Sequence, residues 1–397
     1  MDEQQQNLWT KDFIFISVIN FFLMLVMYLL IVTIAPFAVN EYGASTSMAG
    51  LVSGIFIIGT LIARIATGRI IGKVGSKKIL FIGLVVSSFA TAFYFAAGTM
   101  PLLLANRLFH GMGLGIASTA TGTMVAQIIP QSRRGEGIGY FSMSTVLATA
   151  VGPFLGIYMS QHFEFTILFM LCLALAIVGL ILFFFVNGNE KVVEPVVEDT
   201  IKRSFTVSNY IEVKALPIAF ITLLAGIAYS GVLSFLSFYA IEVHVVKAAS
   251  FFFLVYAVVV LLSRPFSGRL LDEKGANVIV YPALLIFAVG MFVLSGVHSG
   301  VMLLVAGALI GLGFGNFQSC AQAIALKGIP VERIGVATST FYIFLDFGFG
   351  FGPYFLGNIA TTMGYSYMYL LLMGVVVVAF IAFALLVGRK NALPETV

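Results

Sequence analysis

Twelve stretches of predominantly apolar residues, near 13–37, 47–71, 78–98, 101–127, 136–160, 165–187, 213–240, 250–271, 277–297, 301–326, 334–359 and 365–388, alternate with polar gaps along this chain. At 1.5 Å of rise per residue, about 20 helical residues cross the roughly 30 Å of hydrocarbon in a bilayer. Lipid offers the backbone no hydrogen-bond partner, so each stretch predicts a transmembrane helix. One gap differs from the rest: 188–212 is long and polar and carries Glu190, Glu194, Pro195, Glu198, Asp199, Lys202 and Arg203. The pattern predicts an all-α membrane protein with six spans in residues 1–187, a linker at 188–212 and six spans in 213–397.

The two halves repeat. LIARIATGRIIGKVG at 61–75 returns 200 positions later as LLSRPFSGRLLDEKG, so that Arg64, Gly68, Arg69 and Gly75 map onto Arg264, Gly268, Arg269 and Gly275. The same offset maps GMGLG at 111–115 onto GLGFG at 311–315, and Gly152-Pro153 onto Gly352-Pro353. A register held this long identifies one unit used twice, and hence two pseudo-symmetric six-helix bundles. Parallel repeats of this kind place a binding site near mid-membrane, between the halves. Gly111 and Gly115, Gly311 and Gly315, and Gly348 and Gly352 are each four apart and share a helix face, which favours close helix packing.

Composition agrees: 60% of the residues are hydrophobic and 10% are charged, against about 25% charged in soluble domains. The net charge of +4 raises the question of an acidic partner, and the placement of the charges answers it. Apart from Lys247 and the intramembrane Arg64, Arg107 and Arg264, the Lys and Arg residues fall in alternate gaps. By the positive-inside rule those gaps and both termini are cytoplasmic, so the basic residues mark topology in a cell-membrane protein and do not read as a nucleic-acid surface. The first apolar run is too long for a signal-peptide core and reads as the first span. Cys172 and Cys320 lie in opposite halves with no disulfide or metal spacing. No nucleophile–base pair, phosphate loop or metal cluster is present in the pattern, so neither an enzyme nor a cofactor is expected. The bilayer is the expected partner, with the chain acting as a monomer.

On these residues the chain resembles the major facilitator superfamily, in particular its drug:proton antiporter-like branch with twelve spans. The gap after span two fits the family's G-x-x-x-D-R-x-G-R-K signature at Gly68, Lys73, Gly75, Lys77 and Lys78, but Gly72 replaces the acid. The second copy keeps the acid, at Gly268, Asp272 and Gly275. The resemblance implies that these loops act as cytoplasmic gates. Arg107 and the following Gly111 and Gly113 are similar to a family pattern linked to proton coupling. Gly152, Pro153 and Gly156 resemble the antiporter motif of exporters, with Ala148 and Ile157 in place of its outer glycines. The implied function is proton-coupled export of a small amphipathic molecule (a drug, a metabolite or a metallophore-like product) by alternating access, so the implied partners are a small-molecule substrate and protons. A symporter importing a sugar, an amino acid or a small organic acid is the alternative.

Several residues are candidates for the mechanism. Asp346 is the carboxylate deepest within a predicted span, roughly 20 Å along the helix from Arg333. Burial there favours the neutral acid, which suits a group that takes up and releases protons; permanent pairing with a structural cation is the other role that fits. Arg107 lies roughly 9 Å into span four and reads either as an intramembrane functional charge or as a side chain reaching for the interface. His110 follows on the same face, as a titrating group or as a hydrogen-bonded one. Arg64 and Arg264, four residues before Gly68 and Gly268, read as side chains reaching toward the cytoplasm and supporting the gates. Glu136 reads as a favourable charge at a helix N-terminus. In the family, spans one, four, seven and ten line the cavity. That makes Asn20, Tyr28, Thr33, Tyr229, Ser230, Asn316, Gln318 and Gln322 candidate substrate contacts.

Overall fold

The structure, a computed structural model, describes residues 7–187 and 209–389. Most of the linker expected at 188–212 therefore lies outside the described residues, as does Lys390. Among the described residues there are twelve long helices: α1 (Lys11–Tyr42), α2 (Thr46–Val74), α3 (Ser76–Phe93), α4 (Met100–Ile128), α5 (Arg134–His162), α6 (Phe165–Phe183), α7 (Leu216–Glu242), α8 (Val246–Lys274), α9 (Ala276–Ser295), α10 (Gly300–Ala325), α11 (Ile334–Met363) and α12 (Tyr365–Gly388). Among the described residues there is no strand. Several helices run past the apolar stretch that predicts them. α2 and α8 end at Val74 and Lys274, where Gly75 (φ +93°) and Gly275 (φ +83°) turn the chain into the next helix. Those dihedrals admit glycine readily and other residues poorly, so the repeat conserves the turn as well as the helix.

Eleven of the described helices are long and apolar enough to cross a membrane. The exception, α4, is long enough but carries Arg107, His110 and a run of Gly, Ser and Thr, most of them buried against neighbouring helices. Its low hydropathy reflects an inward position, since protein rather than lipid surrounds those groups. The outer surface is apolar: Phe154, Leu262 and Phe266 are each more than two-thirds exposed, as a lipid-facing side chain should be.

The two bundles are built alike. In the first, α1 packs on α5 and α6, α2 and α3 pack on α4, and α3 packs on α6; in the second, α7 packs on α11 and α12, α8 and α9 on α10, and α9 on α12. Between the bundles, α5 lies against α8 and α2 against α11. Glycines make the within-bundle contacts close. A Cβ on Gly111 would stand 2.0 Å from the Phe56 carbonyl oxygen, and one on Gly115 2.6 Å from that of Thr60. Their second-half counterparts behave similarly, with Gly311 2.8 Å from the Tyr256 carbonyl oxygen. The copies differ in one respect, because Gly311–Gly315 forms a π-helical turn inside α10 whereas Gly111–Gly115 is regular α-helix.

Gly111→Val should force α2 and α4 apart, because backbone rather than a movable side chain meets the new Cβ. Overpacking of this kind costs about 1–3 kcal/mol, and a lowered thermal unfolding midpoint of the purified protein in detergent is the expected reading.

Candidate functional site

Asp346 on α11 finds its partner on α2. Its Oδ2 accepts from Arg64 Nε at 2.6 Å, across 282 positions of sequence and across the seam between bundles. Arg64 lies ten residues from the end of α2 and Asp346 twelve from the start of α11, roughly 15 and 18 Å along their helices. The pair is therefore deep within the spans. The Arg64 side chain is 3% exposed and that of Asp346 18%, so the carboxylate is the member with access. Arg64 also donates to Thr119 Oγ1 on α4 at 3.2 Å and lies 4.5 Å over the Tyr342 ring. Tyr342 in turn accepts from Gln322 on α10 at 3.1 Å, and Ser339 donates to the Arg64 carbonyl at 2.6 Å. Three helices from both bundles, α2, α4 and α11, thus meet at one guanidinium, and α10 joins them through Tyr342. A charge alone at this depth would be expensive, and removing one partner of such a pair leaves the other uncompensated.

This corrects the expectation that Arg64 and Arg264 reach toward the cytoplasm. Both are buried, at 3% and 2% exposure. Arg64 is held by an acid on a distant helix, and Arg264 Nη2 donates inward to the Gly315 carbonyl at 2.9 Å. The aromatic residues around Asp346 divide by face: Tyr342 and Phe349 turn inward, while Phe347 and Phe351 are exposed on the lipid side.

Arg107 and His110 form a separate cluster. Arg107 Nε donates to the Val52 carbonyl at 3.2 Å, Nη1 donates to Tyr94 Oη at 3.1 Å, and the guanidinium lies 4.3 Å over Phe56. Tyr94 Oη is 3.1 Å from His110 Nδ1. That hydroxyl, which accepts from Arg107, therefore links the guanidinium to the imidazole. Along α4, Arg107 is twelve residues from Thr119, so about 18 Å separate this cluster from the Arg64 network. The structure does not join the three groups that the sequence ranks together.

Toward the basic ends of the helices, the second-half copy of the loop is tied to the opposite bundle like a latch. Asp272 at the end of α8 accepts from the backbone N–H groups of Gly135 at 2.7 Å and Glu136 at 2.8 Å, capping the N-terminus of α5 in the other bundle. An anion there is favoured by unsatisfied N–H groups and by the helix dipole. Glu136 does more than its own helix end requires, accepting from Arg133 at 2.8 Å and from Arg269 at 3.0 Å. Arg134 adds a bond to the Leu326 carbonyl at 2.8 Å. Gly268 permits the approach, since a Cβ there would stand 2.7 Å from Glu136 Cα.

The first-half copy of the loop packs differently. A Cβ on Gly72 would stand 2.7 Å from the Glu332 carbonyl oxygen, and one on Gly68 2.6 Å from Ser339 Cβ. Where the second copy has Asp272, α2 therefore packs its backbone against the segment leading into α11. Arg69 bonds the Tyr210 hydroxyl, and the start of α11 is held by the Arg333–Glu212 pair. Lys77 donates to the Asn187 carbonyl at 3.1 Å within its own bundle, while Lys73 and Lys78 are exposed.

Most of the polar residues proposed for a cavity join helices to one another. Asn20 donates to Ser144 and Thr145 and accepts from Thr121, tying α1, α4 and α5. Asn316 bonds Ser263 and Ser267, tying α10 to α8. Thr33 and Ser230 bond carbonyls of their own helices, and Gln318 is half-buried. Tyr28 packs beside Gly152, where a Cβ would stand 2.6 Å from its own Cβ; Gly156 fits under the Leu29 carbonyl, so the Gly152-Pro153 segment serves as a contact face of α5 for α1. Tyr229 stacks on Phe314 of the π-turn at 4.1 Å, with Tyr256 at 5.6 Å and Phe349 at 5.9 Å.

Sequence reasoning undervalued Arg64, Glu136 and Glu212. The signal for Arg64 was present: an isolated acid buried in α11 needs a cation, and away from their ends the apolar stretches hold three basic residues, Arg64, Arg107 and Arg264.

A model of the family described as Major Facilitator Superfamily matches residues 16–353. An uncharacterised MFS-type transporter of Methanocaldococcus jannaschii is 25% identical, the match covering 82% of this chain and 86% of that protein. The staphylopine export protein of Staphylococcus aureus is 20% identical over 87% of this chain and 89% of its own length. Among solved structures, the MFS transporter FucP in its outward conformation superposes with a TM-score of 0.74 at 16% identity, covering 96% of this chain and 99% of that one.

Asp272→Ala should loosen the end of the molecule that Asp272 and Glu136 hold together. A cysteine placed at Gly139, where a side chain meets nothing closer than 3.9 Å, should then react with an impermeant maleimide severalfold faster than in the parent. An unchanged rate would show that the latch does not hold the seam.

Proposed function

The chain belongs to the Major Facilitator Superfamily and is a membrane transporter, and we propose that it exports a small amphipathic molecule in exchange for protons, with the Arg64–Asp346 pair as the coupling element. The observation that carries this reading is a buried ion pair spanning the two bundles whose acid member is the more accessible one. In its ionised form Asp346 holds α11 to α2 through Arg64. A proton reaching the carboxylate removes that attraction and leaves Arg64 with Thr119 and the face of Tyr342. Proton and guanidinium compete for one carboxylate, so whatever favours separation of the bundles favours protonation, and the converse follows by linkage.

Export is supported by the Gly152, Pro153 and Gly156 segment packed on α1 and by a staphylopine export protein among the relatives that match most of the chain. The latch at Asp272 and the packing at Gly72 close the end bearing the basic loops, which the positive-inside rule assigns to the cytoplasm, together with both termini. In the proposed cycle a substrate enters when that end opens, the bundles rock, and protonation of Asp346 from the opposite side drives the return. The aromatic group at Tyr229, Phe314 and Phe349 supplies the apolar wall for an amphipathic substrate, with Tyr28 on α1 facing the same centre. Arg107 and His110 are then positioning residues that fix α4 against α2 and α3.

Cells carrying the gene should enrich at least one metabolite in their medium relative to cells lacking it, and flux of that compound in proteoliposomes should follow an imposed pH gradient. Asp346→Asn should lower the gradient-driven flux at least tenfold. Because it strands a buried Arg64, the double variant Arg64→Gln with Asp346→Asn serves as the companion, expected to fold with near-parental stability and to remain uncoupled. Gradient-driven flux of parental size in Asp346→Asn would remove Asp346 from the mechanism.

A further inference from the structure

The repeat gives Arg64 a carboxylate in the opposite bundle and gives its copy, Arg264, none among the described residues. Arg264 stands where Arg64 stands in the first bundle, but the position corresponding to Asp346 is Val146. Arg264 is 2% exposed, and a single hydrogen bond is made by its guanidinium, from Nη2 to the Gly315 carbonyl. Nε and Nη1 have no hydrogen-bond partner among the described residues. Buried donors left unmatched are costly, and a guanidinium presents them in the fork that fits a carboxylate or a similar oxyanion. In the same fold, Arg64 Nε engages a carboxylate.

The surroundings specify more than charge. Gly315 closes the π-helical turn of α10, and such turns cluster at functional sites. The turn also carries Phe314, on which Tyr229 stacks, and Tyr256 adjoins Tyr229 from α8 two turns before Arg264. Across the seam Gly139 presents no side chain, and a Cβ there would still be 4.0 Å from Arg264 Cδ. An idle guanidinium thus lies at the boundary between bundles, on the helix that also carries one wall of the aromatic cluster.

We propose that Arg264 is an anion subsite of the transport path, taking the acid group of an amphipathic aromatic acid whose ring lies against Tyr229, Tyr256 and Phe314. This rests on the transport reading above and narrows its substrate class to organic anions. It also gives the two copies separate tasks: the first carries its own carboxylate and serves the proton, the second lacks one and receives it from the substrate.

Titration calorimetry of the full-length protein in detergent tests this with 1-naphthoate, its cationic counterpart 1-naphthylmethylammonium, and inorganic phosphate. The acid should bind saturably, the amine should not, and phosphate should bind far more weakly than the acid. Arg264→Gln should weaken 1-naphthoate at least tenfold. Since that variant removes a buried hydrogen bond, Val146→Asp is the second test. An internal carboxylate at the place equivalent to Asp346 should weaken 1-naphthoate at least tenfold while raising the unfolding temperature. Parental affinity for the acid in both variants, preference for the amine, equal binding of phosphate, or no binding of the acid to the parent would each overturn the assignment. Asp346→Asn separates the two readings. Acid binding that depends on Arg264 without any proton-driven flux would sink the coupling scheme alone, and proton-driven flux with binding indifferent to Arg264 would sink the subsite alone.

Discussion

A charge inside a bilayer protein must find its compensation within the protein, because neither lipid nor apolar side chains supply it. In this chain that constraint singles out the contact between α2 and α11. Asp346 and Arg64 neutralise each other at a depth where neither is comfortable alone, and their neighbours on α4 and α10 complete the hydrogen bonding. The same contact joins the two bundles near the middle of the membrane. A rearrangement of the bundles must therefore contend with this pair, and a proton is the smallest ligand that changes its strength.

Among the described residues the remaining cross-bundle bonds lie toward the basic ends, and the two copies of the loop meet the opposite bundle by different means. On the α5–α8 side an anion caps a helix N-terminus, a polar contact that can be made and broken without rebuilding a surface. On the α2–α11 side, glycines bring backbone against backbone, a contact based on shape. Loss of the acid at Gly72 is thus matched by the carbonyl of Glu332 occupying the direction its side chain would take. Duplication fixed the architecture, and later divergence distributed different chemistry to the two sides of one seam.

Divergence is equally visible away from these loops. The first bundle has an arginine at 107 where the second has Gly307, and the second has an acid at 346 where the first has Val146. The π-helical turn in α10 has no equivalent in α4 despite similar glycine spacing. These asymmetries are concentrated on helices that touch the interior, whereas the glycine contacts and turn glycines that only hold the bundles together remain alike in both copies.

The chain by itself determined the twelve spans, the duplication, the turn at Gly75 and Gly275 and the presence of one acid deep in α11, because each is a local matter of hydropathy, periodicity or a dihedral that only glycine adopts readily. It also marked Asp272 through the repeat. The tertiary structure decided which groups meet: that Asp346 pairs with Arg64 instead of joining Arg107 and His110, that Asn20 and Asn316 tie helices together, and that Glu136 answers Arg269 from the other bundle. Those outcomes depend on which faces of helices far apart in sequence are turned toward one another, and a one-dimensional pattern records the face a residue occupies on its own helix but not the face that comes to oppose it.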